Sequence, residues 1–408
     1  MYNGFGRKRR EDGRMPENIR TAVIGIGHMG SAHARCIAEG KVPGMVLSAV
    51  CDLAQDRLEW AEREFPGVRR FADWRELLAG NAADAAVIAV PHPLHSRIAD
   101  EALRAGLHVL SEKPLDIRVS DARKAVAAGK ETGRVFAVML NQRTNPIFQR
   151  ARQIVRGGQL GDLKRSVWII TNWYRTQHYY DSGDWRATWS GEGGGVLLNQ
   201  APHNLDLWQW ICGMPSELTA WCDVAKYHHI EVEDEATIFV RYPGGATGAF
   251  ITSTGESPGT NRLEISGTRG KIVLEEGKLK FWRLKEDEAR ARFESGESMP
   301  HLPLDYEEWT PDTQGSGHAG ILRNFADAVL HGAELLSPAE DGLFELMLSN
   351  AAYLSAWEGS RTVALPADEE RFNRLLAERQ LSSRRRDSAS GLGKEVTGEY
   401  AERWQTRW

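Results

Sequence analysis

Cysteine is scarce in this 408-residue chain: Cys36, Cys51, Cys212 and Cys222 are the only four, and no two form a C-x-x-C pair. That excludes a disulfide-stapled scaffold. It points to a reducing compartment in which the thiols are small buried hydrophobes rather than nucleophiles. Long apolar runs are absent too, so no segment is expected to span a bilayer. Positive charge is not in excess: 51 Lys and Arg face 56 Asp and Glu, a net charge of -5. Nothing in that balance calls for a nucleic-acid partner. The basic cluster Arg7 to Arg10 is followed by no apolar stretch, which argues against a secretory or twin-arginine leader. The expectation is a cytoplasmic protein with no membrane partner. What is present is ordinary for a globular chain, 41% hydrophobic and 26% charged, and long enough for two or three domains.

From Asn18 onward, short apolar segments alternate with amphipathic ones. Ile19 to Ile26, Met45 to Cys51, Ala85 to Val90, His108 to Ser111 and Val135 to Leu140 read as buried strands. Helices are expected at Ser31 to Ala38, Asp56 to Glu64, Trp74 to Leu78, Ser96 to Ala105 and Val119 to Thr132. Unbroken alternation implies a parallel sheet with helices on both faces. After Pro146 to Arg156 and Pro202 to Ile211, both helical, the pattern between Glu217 and Trp282 becomes period-two with Gly and Pro turns. That predicts an open, mainly antiparallel sheet. Gly320 to Leu330 and Gly342 to Glu358 read as helices. The division expected is a disordered basic arm over 1–18, one domain over 19–140, a second over 141–366 and a C-terminal helix and tail over 367–408.

Gly25-Ile26-Gly27-His28-Met29-Gly30 is G-x-G-x-x-G between an expected strand and an expected helix, the context that gives this motif weight. Gly25 serves the tight turn, Gly27 the approach of a pyrophosphate, and Gly30 close helix–strand packing. The phosphates would lie on free amides of the helix N-terminus, at Gly25, Gly27, His28, Met29 and Gly30. Asp52 ends the second strand, 22 residues after Gly30, near the spacing of an acid that binds the adenosine ribose. A carboxylate there repels a 2′-phosphate, so NAD is expected over NADP. The first domain is therefore read as a Rossmann NAD-binding domain.

Three further segments carry a family resemblance: Pro91-His92-Pro93-Leu94-His95, Glu112-Lys113-Pro114, and Gly193-Gly194-Gly195 leading to His203-Asn204-Leu205-Asp206. With the glycine motif, in this order, they resemble the Gfo/Idh/MocA family, over roughly Arg20 to Pro366. The resemblance implies an α/β fold class, a Rossmann domain followed by an α/β domain with an open sheet that often forms a subunit interface. It also implies a sugar or polyol substrate, while the open sheet face expected in the second domain points to a homodimer or homotetramer. Further cofactor contacts it implies are Pro91, His92, His95, Glu112, Lys113, Asn141 and Arg143. For Arg143, a structural ion pair is an equal alternative.

Oxidising a ring alcohol needs a base for the hydroxyl proton and a positive donor for the developing alkoxide. Lys113, at the carboxyl edge of the first sheet, matches the family's catalytic lysine. His203, in the first turn of a helix whose dipole disfavours imidazolium, is the candidate base. Many relatives have Asp four residues before this histidine, and this chain has Asn199. Helical spacing would let Asn199 meet His203, yet an amide takes no proton. Asp206 is either a partner for His203 or a helix-surface or capping residue.

Tryptophan is concentrated in mid-chain, at 168, 173, 185, 189, 208, 210 and 221. Flat indoles suit sugar C–H faces. The substrate candidates are Trp173, Arg175, His178, Trp185, Arg186 and Asn199, beside Lys113 and His203. Arg175 and Arg186 are suited to an acidic group or to a plain surface role. His228-His229 with Glu231 to Glu235 is not read as a metal site, because neighbours on a strand face opposite ways. Three functions remain open on sequence: an NAD-dependent sugar or inositol dehydrogenase, a glycosidase that retains NAD and works by transient oxidation, and a non-catalytic dinucleotide sensor.

Overall fold

A computed structural model describes residues 18–384. The arm expected over 1–18, apart from its last residue, and the tail after 384 lie outside the described residues. The chain forms two compact units. Among the described residues, the first comprises 18–141 together with Ser316–Leu343, and the second Gln142–Gly315 together with 344–384. Among the described residues no helix is long and apolar enough to cross a membrane.

The first unit is built on six parallel strands, β1 (Ile19–Ile24), β2 (Met45–Cys51), β3 (Arg69–Phe71), β4 (Ala85–Ile88), β5 (His108–Ser111) and β6 (Phe136–Val138). Their order in the sheet is β3-β2-β1-β4-β5-β6. Every β4 residue is buried, as a strand covered on both faces requires. Helices α1 (His28–Ala38), α2 (Gln55–Glu64), α3 (Trp74–Ala79), α4 (His95–Arg104) and α5 (Val119–Thr132) supply the connections. The order reverses between β2-β1 and β4, so the loops after β1 and β4 meet at the switch point where such sheets bind ligands.

One assignment is corrected here. Ser316–Leu343 falls in the stretch assigned by sequence to the second domain, yet it belongs to the first unit. Its helix Gly317–His331 puts Ile321, Leu322, Phe325 and Ala326 into one buried cluster with Ile19, Val23 and Val87. Burial of that apolar stripe fixes its place.

The second unit is built on nine strands: β7 (Leu163–Ile170), β8 (Glu217–Val224), β9 (Glu233–Arg241), β10 (Thr247–Ser253), β11 (Asn261–Gly267), β12 (Gly270–Glu275), β13 (Lys278–Leu284), β14 (Leu304–Trp309) and β15 (Val363–Ala364). The order is β14-β13-β12-β11-β7-β10-β9-β8-β15. Only β7 and β10 run parallel; the rest of the ladder is antiparallel, in keeping with the mainly antiparallel expectation. A parallel pair needs a long crossover, and here residues 171–246 provide it. That crossover contains α7 (Gln177–Asp181) and α8 (Pro202–Cys212), which follow α6 (Pro146–Arg156) in the chain.

Two small residues dock α8 on the sheet. The Trp208 indole donates to Ser166 Oγ at 3.0 Å. A Cβ on Gly248 would lie 2.9 Å from that indole, so glycine makes room for it. Two tryptophans, Trp189 and Trp357, are spent on a second packing cluster. Tyr353 stacks on Trp357 at 5.4 Å and Trp357 on Phe372 at 5.5 Å, while Trp189 meets both Tyr353 and Trp357 edge-on. Phe372 belongs to the C-terminal helix Glu369–Ser382.

Candidate active site

The glycine turn has the shape a pyrophosphate cradle needs. Gly25 adopts φ +84°, and a Cβ there would lie 2.6 Å from the Ala89 carbonyl oxygen at the end of β4. On Gly30 a Cβ would overlap the Gly25 carbonyl oxygen at 1.7 Å, so only glycine lets α1 start this close to β1. Gly27 has nothing within 4 Å of its Cβ position, which leaves open space where the backbone must face a ligand. No side chain caps α1, and its first turn holds no acid. Its leading amides therefore present an uncompensated positive end to an anion. His28 is exposed and Met29 half-buried at this end. Asp52 accepts the Ile26 amide at 2.8 Å and the Ala54 amide at 2.9 Å, so its carboxylate is fixed beside the cradle. These residues fit a dinucleotide with free ribose hydroxyls.

Lys113 follows β5 at the carboxyl edge of the sheet. Its loop is braced from below by a residue that sequence reasoning missed. His33, fully buried on α1, donates from Nε2 to Glu112 Oε1 at 2.8 Å. The other carboxylate oxygen of Glu112 accepts the Lys113 amide at 3.2 Å. Burial opposes the charge on Glu112 most strongly, but the hydrogen bond from His33 and the electrostatic pull of His33, His318 and Lys113 together outweigh it and hold the carboxyl down at about 2. A third ring, His318, lies 5.9 Å from His33. Its Nδ1 accepts from the Asn141 amide at 3.3 Å. Burial holds His318 down at about 4, consistent with a neutral acceptor nitrogen. One signal for His33 was available: it shares the buried face of α1 with Gly30 and Ile37, where an imidazole needs a polar partner.

Three cofactor expectations are revised by this geometry. Glu112 spends both oxygens inward, so it positions Lys113 rather than facing a ligand. His95 is 1% exposed, with Nδ1 2.6 Å from the Pro114 carbonyl and Nε2 2.7 Å from the Val90 carbonyl. It ties the two loops together, and burial lowers its proton affinity against those carbonyls. Arg143 is wholly buried and pairs two-pronged with Asp206, at 2.8 Å from Nε and 2.5 Å from NH2. The ion-pair alternative therefore holds for Arg143. Asp206 is likewise committed to Arg143 and to the Gln209 amide at 3.0 Å, not to a capping role. Of the remaining candidates, Pro91 is exposed and His92 is buried 5.8 Å from the His95 ring.

In the second unit, the triple-glycine segment is a packing device. A Cβ on Gly194 would lie 2.2 Å from the Tyr353 hydroxyl, and one on Gly195 1.9 Å from the Glu233 carbonyl oxygen. The buried Glu233 carboxyl accepts the Gly195 and Leu197 amides, both at 2.9 Å in their shorter contacts, and the Tyr353 hydroxyl at 2.7 Å. Burial outweighs these donors and pushes Glu233 up to about 7. This clamp leads the chain into α8, whose first residues are Pro202 and His203, the latter 7% exposed.

Asn199 precedes α8, so helical spacing does not apply to it. Its amide donates to Glu192 Oε1 and, at 3.3 Å, to the Tyr179 hydroxyl. Glu192 is buried and also accepts the Ala187 amide at 2.6 Å. Tyr179 further accepts from Gln200 at 3.2 Å and from Arg186 at 3.0 Å. Arg175 and Arg186 both lie over the Tyr179 ring, at 5.1 and 4.7 Å, and Arg186 lies over Trp185 at 4.5 Å. Trp173 is 1% exposed, which makes its indole a wall behind this loop rather than a substrate surface. His178 is exposed. His228 is held by Asp234 at 2.9 Å and reaches the Arg175 carbonyl at 3.0 Å, which fixes the arginine loop. Among the described residues no group of three His, Cys, Asp or Glu side chains is placed to hold a metal.

Residues 19–140 match the description "Oxidoreductase family, NAD-binding Rossmann fold", and residues 148–273 the "GFO/IDH/MocA C-terminal domain". The chain belongs to the Gfo/Idh/MocA family of NAD-binding oxidoreductases. Among its relatives is scyllo-inositol 2-dehydrogenase (NAD(+)) of Bacillus subtilis, 26% identical over 64% of this chain and 75% of that one. Levoglucosan dehydrogenase of Pseudarthrobacter phenanthrenivorans is 24% identical over 83% and 96%. The WlbA dehydrogenase of Bordetella pertussis, solved with NADH and UDP-GlcNAcA, superimposes with TM-score 0.73 at 28% identity. That match covers 87% of this chain and all of the other.

Proposed function

We propose that this protein oxidises a ring secondary hydroxyl of a sugar, glycoside or inositol, with NAD as hydride acceptor. Gly25, Gly27, Gly30, the amides of His28 and Met29, and Asp52 would hold the dinucleotide. The bound cofactor supplies an acceptor for the hydride leaving the carbinol carbon. The Lys113 ammonium donates a hydrogen bond to the reacting oxygen and stabilises it as negative charge grows. A ring nitrogen of His203 takes the hydroxyl proton, and a ketone results. The observation that carries this reading is the placement of Lys113 at the carboxyl edge of the sheet that bears the glycine cradle, on a loop braced by Glu112 and His33. The named activities of the inositol and levoglucosan dehydrogenases support the substrate class.

The test is NADH formation, followed by absorbance, across polyols, free sugars and glycosides, with the Lys113→Met variant in parallel. At least one compound is expected to yield NADH. The variant should still bind NADH while losing about 10²–10³-fold in turnover, the usual effect of removing one oxyanion donor. Full turnover by the variant would overturn the role of Lys113.

The same reading includes a homodimer or homotetramer. Trp221 and Phe239 pair edge-on at 5.9 Å on the outward face of the second sheet, each about half exposed, and an uncovered apolar sheet face favours association. Light scattering on the purified full chain measures the assembly directly.

A further inference from the structure

We infer that Arg175, Arg186 and Tyr179 form a subsite for an anionic group of the substrate, so that the sugar oxidised is an acidic one; this rests on the proposed dehydrogenase activity. Two guanidiniums lie over a single phenol ring. Among the described residues, neither has a carboxylate within 4.0 Å. Arg175 spends NH1 on the Trp173 and Tyr174 carbonyls, at 3.2 and 2.9 Å, and Arg186 spends NH1 on the Tyr179 hydroxyl. Neutral acceptors of this kind orient a guanidinium without neutralising it. Gathering two such charges at one ring is unfavourable unless an anion compensates. Elsewhere in the same unit a buried arginine is fully paired, as Arg143 is with Asp206.

The surroundings fit a sugar rather than a bare ion. The Gln200 side chain is buried, and one end of its amide meets Tyr179 while the other end has no protein partner. A substrate hydroxyl satisfies either end of an amide. Gln200 and Asn199 immediately precede the helix that carries His203, which ties the subsite to the proposed base by sequence and by shared local structure. The chemistry named is therefore a hydroxylated ring bearing a carboxylate or phosphate, held by charge-assisted bonds from planar guanidinium donors.

The experiment compares glucose with glucuronate and with glucose 6-phosphate, and galactose with galacturonate. NADH formation and binding to the NADH-loaded full chain, by tryptophan fluorescence, are both read. Wild type is expected to prefer an acidic member over its neutral parent by at least about tenfold in kcat/KM or in affinity. The preference should weaken with rising ionic strength. Arg175→Gln and Arg186→Gln should each reduce that acid-to-neutral ratio toward one, a ratio that partial misfolding does not mimic. The carboxylate and phosphate arms identify which anion is taken. Equal use of neutral and acidic sugars by wild type, with NADH formed, overturns this subsite and leaves the dehydrogenase reading intact. Arginine-dependent binding of acids without NADH from any compound supports the subsite and overturns the dehydrogenase reading.

Discussion

Asp52 is the carboxylate proposed to bind the adenosine ribose, and its surroundings fix it for that role. Two backbone amides, from Ile26 and Ala54, hold its oxygens beside the glycine cradle, so the side chain costs little entropy to present to a ribose. Substituting Asp52→Ala should raise the KM for NAD by at least about tenfold, the worth of a hydrogen bond to a charged group. It should also narrow the discrimination against NADP, since the charge that repels a 2′-phosphate is gone. Paired steady-state measurements with both cofactors check this; unchanged discrimination would show that selectivity resides elsewhere. The positions of Asp52 and Lys113 just past the ends of β2 and β5 were legible in sequence, because strand periodicity is a short-range signal. His33 was legible only as an imidazole on the buried face of α1; its partner was not. Its partner Glu112 lies 79 residues away, and nothing local to either residue announces the other.

At the scale of elements, the α8 helix and the segment before it are set by buried polar contacts. Arg143 and Asp206 form a fully buried two-pronged pair that joins the residues just before α6 to the middle of α8. Removing one partner leaves a buried charge uncompensated, so Arg143→Ala should destabilise the protein by about 3–5 kcal/mol. Chemical denaturation measures it, and a loss below about 1 kcal/mol would contradict the pairing. Replacing both residues by apolar ones of similar volume should cost much less. The helix itself was legible from Pro202 at its start and its apolar spacing. Its docking was not, because that depends on Gly248 and Ser166 of two separate strands.

At the scale of the whole molecule, Glu233 couples stability to pH. Its carboxyl is raised from an ordinary 4.5 to about 7 by burial. Between those values the unfolded chain has lost the proton while the folded protein keeps it. The folded state thus binds more protons, and stability falls as pH rises from about 4.5 to about 7. The slope from this one group is about 1.4 kcal/mol per pH unit within that window. Urea unfolding of wild type and Glu233→Gln at pH 5 and pH 7 should show the wild type losing stability relative to the variant; parallel pH dependence in the two would exclude the assignment. The same clamp holds the triple-glycine segment, so loosening it should be read in the order of the loop as well as in global stability.

By itself the sequence determined the parallel first sheet, the glycine turn after β1, the placement of Asp52 and Lys113 just past strand ends, and the mainly antiparallel second sheet. Each of these rests on short-range rules: strand periodicity, glycine spacing, and helix starts that hold wherever the segment is placed. Only the tertiary structure decided that residues 316–343 complete the first unit, that Arg143 and Glu112 face inward, and that Arg175 and Arg186 converge on Tyr179. Those outcomes depend on burial and on pairing between residues distant in the chain. Desolvation makes a buried charge find its partner across the fold, and one-dimensional spacing carries no record of which partner is within reach.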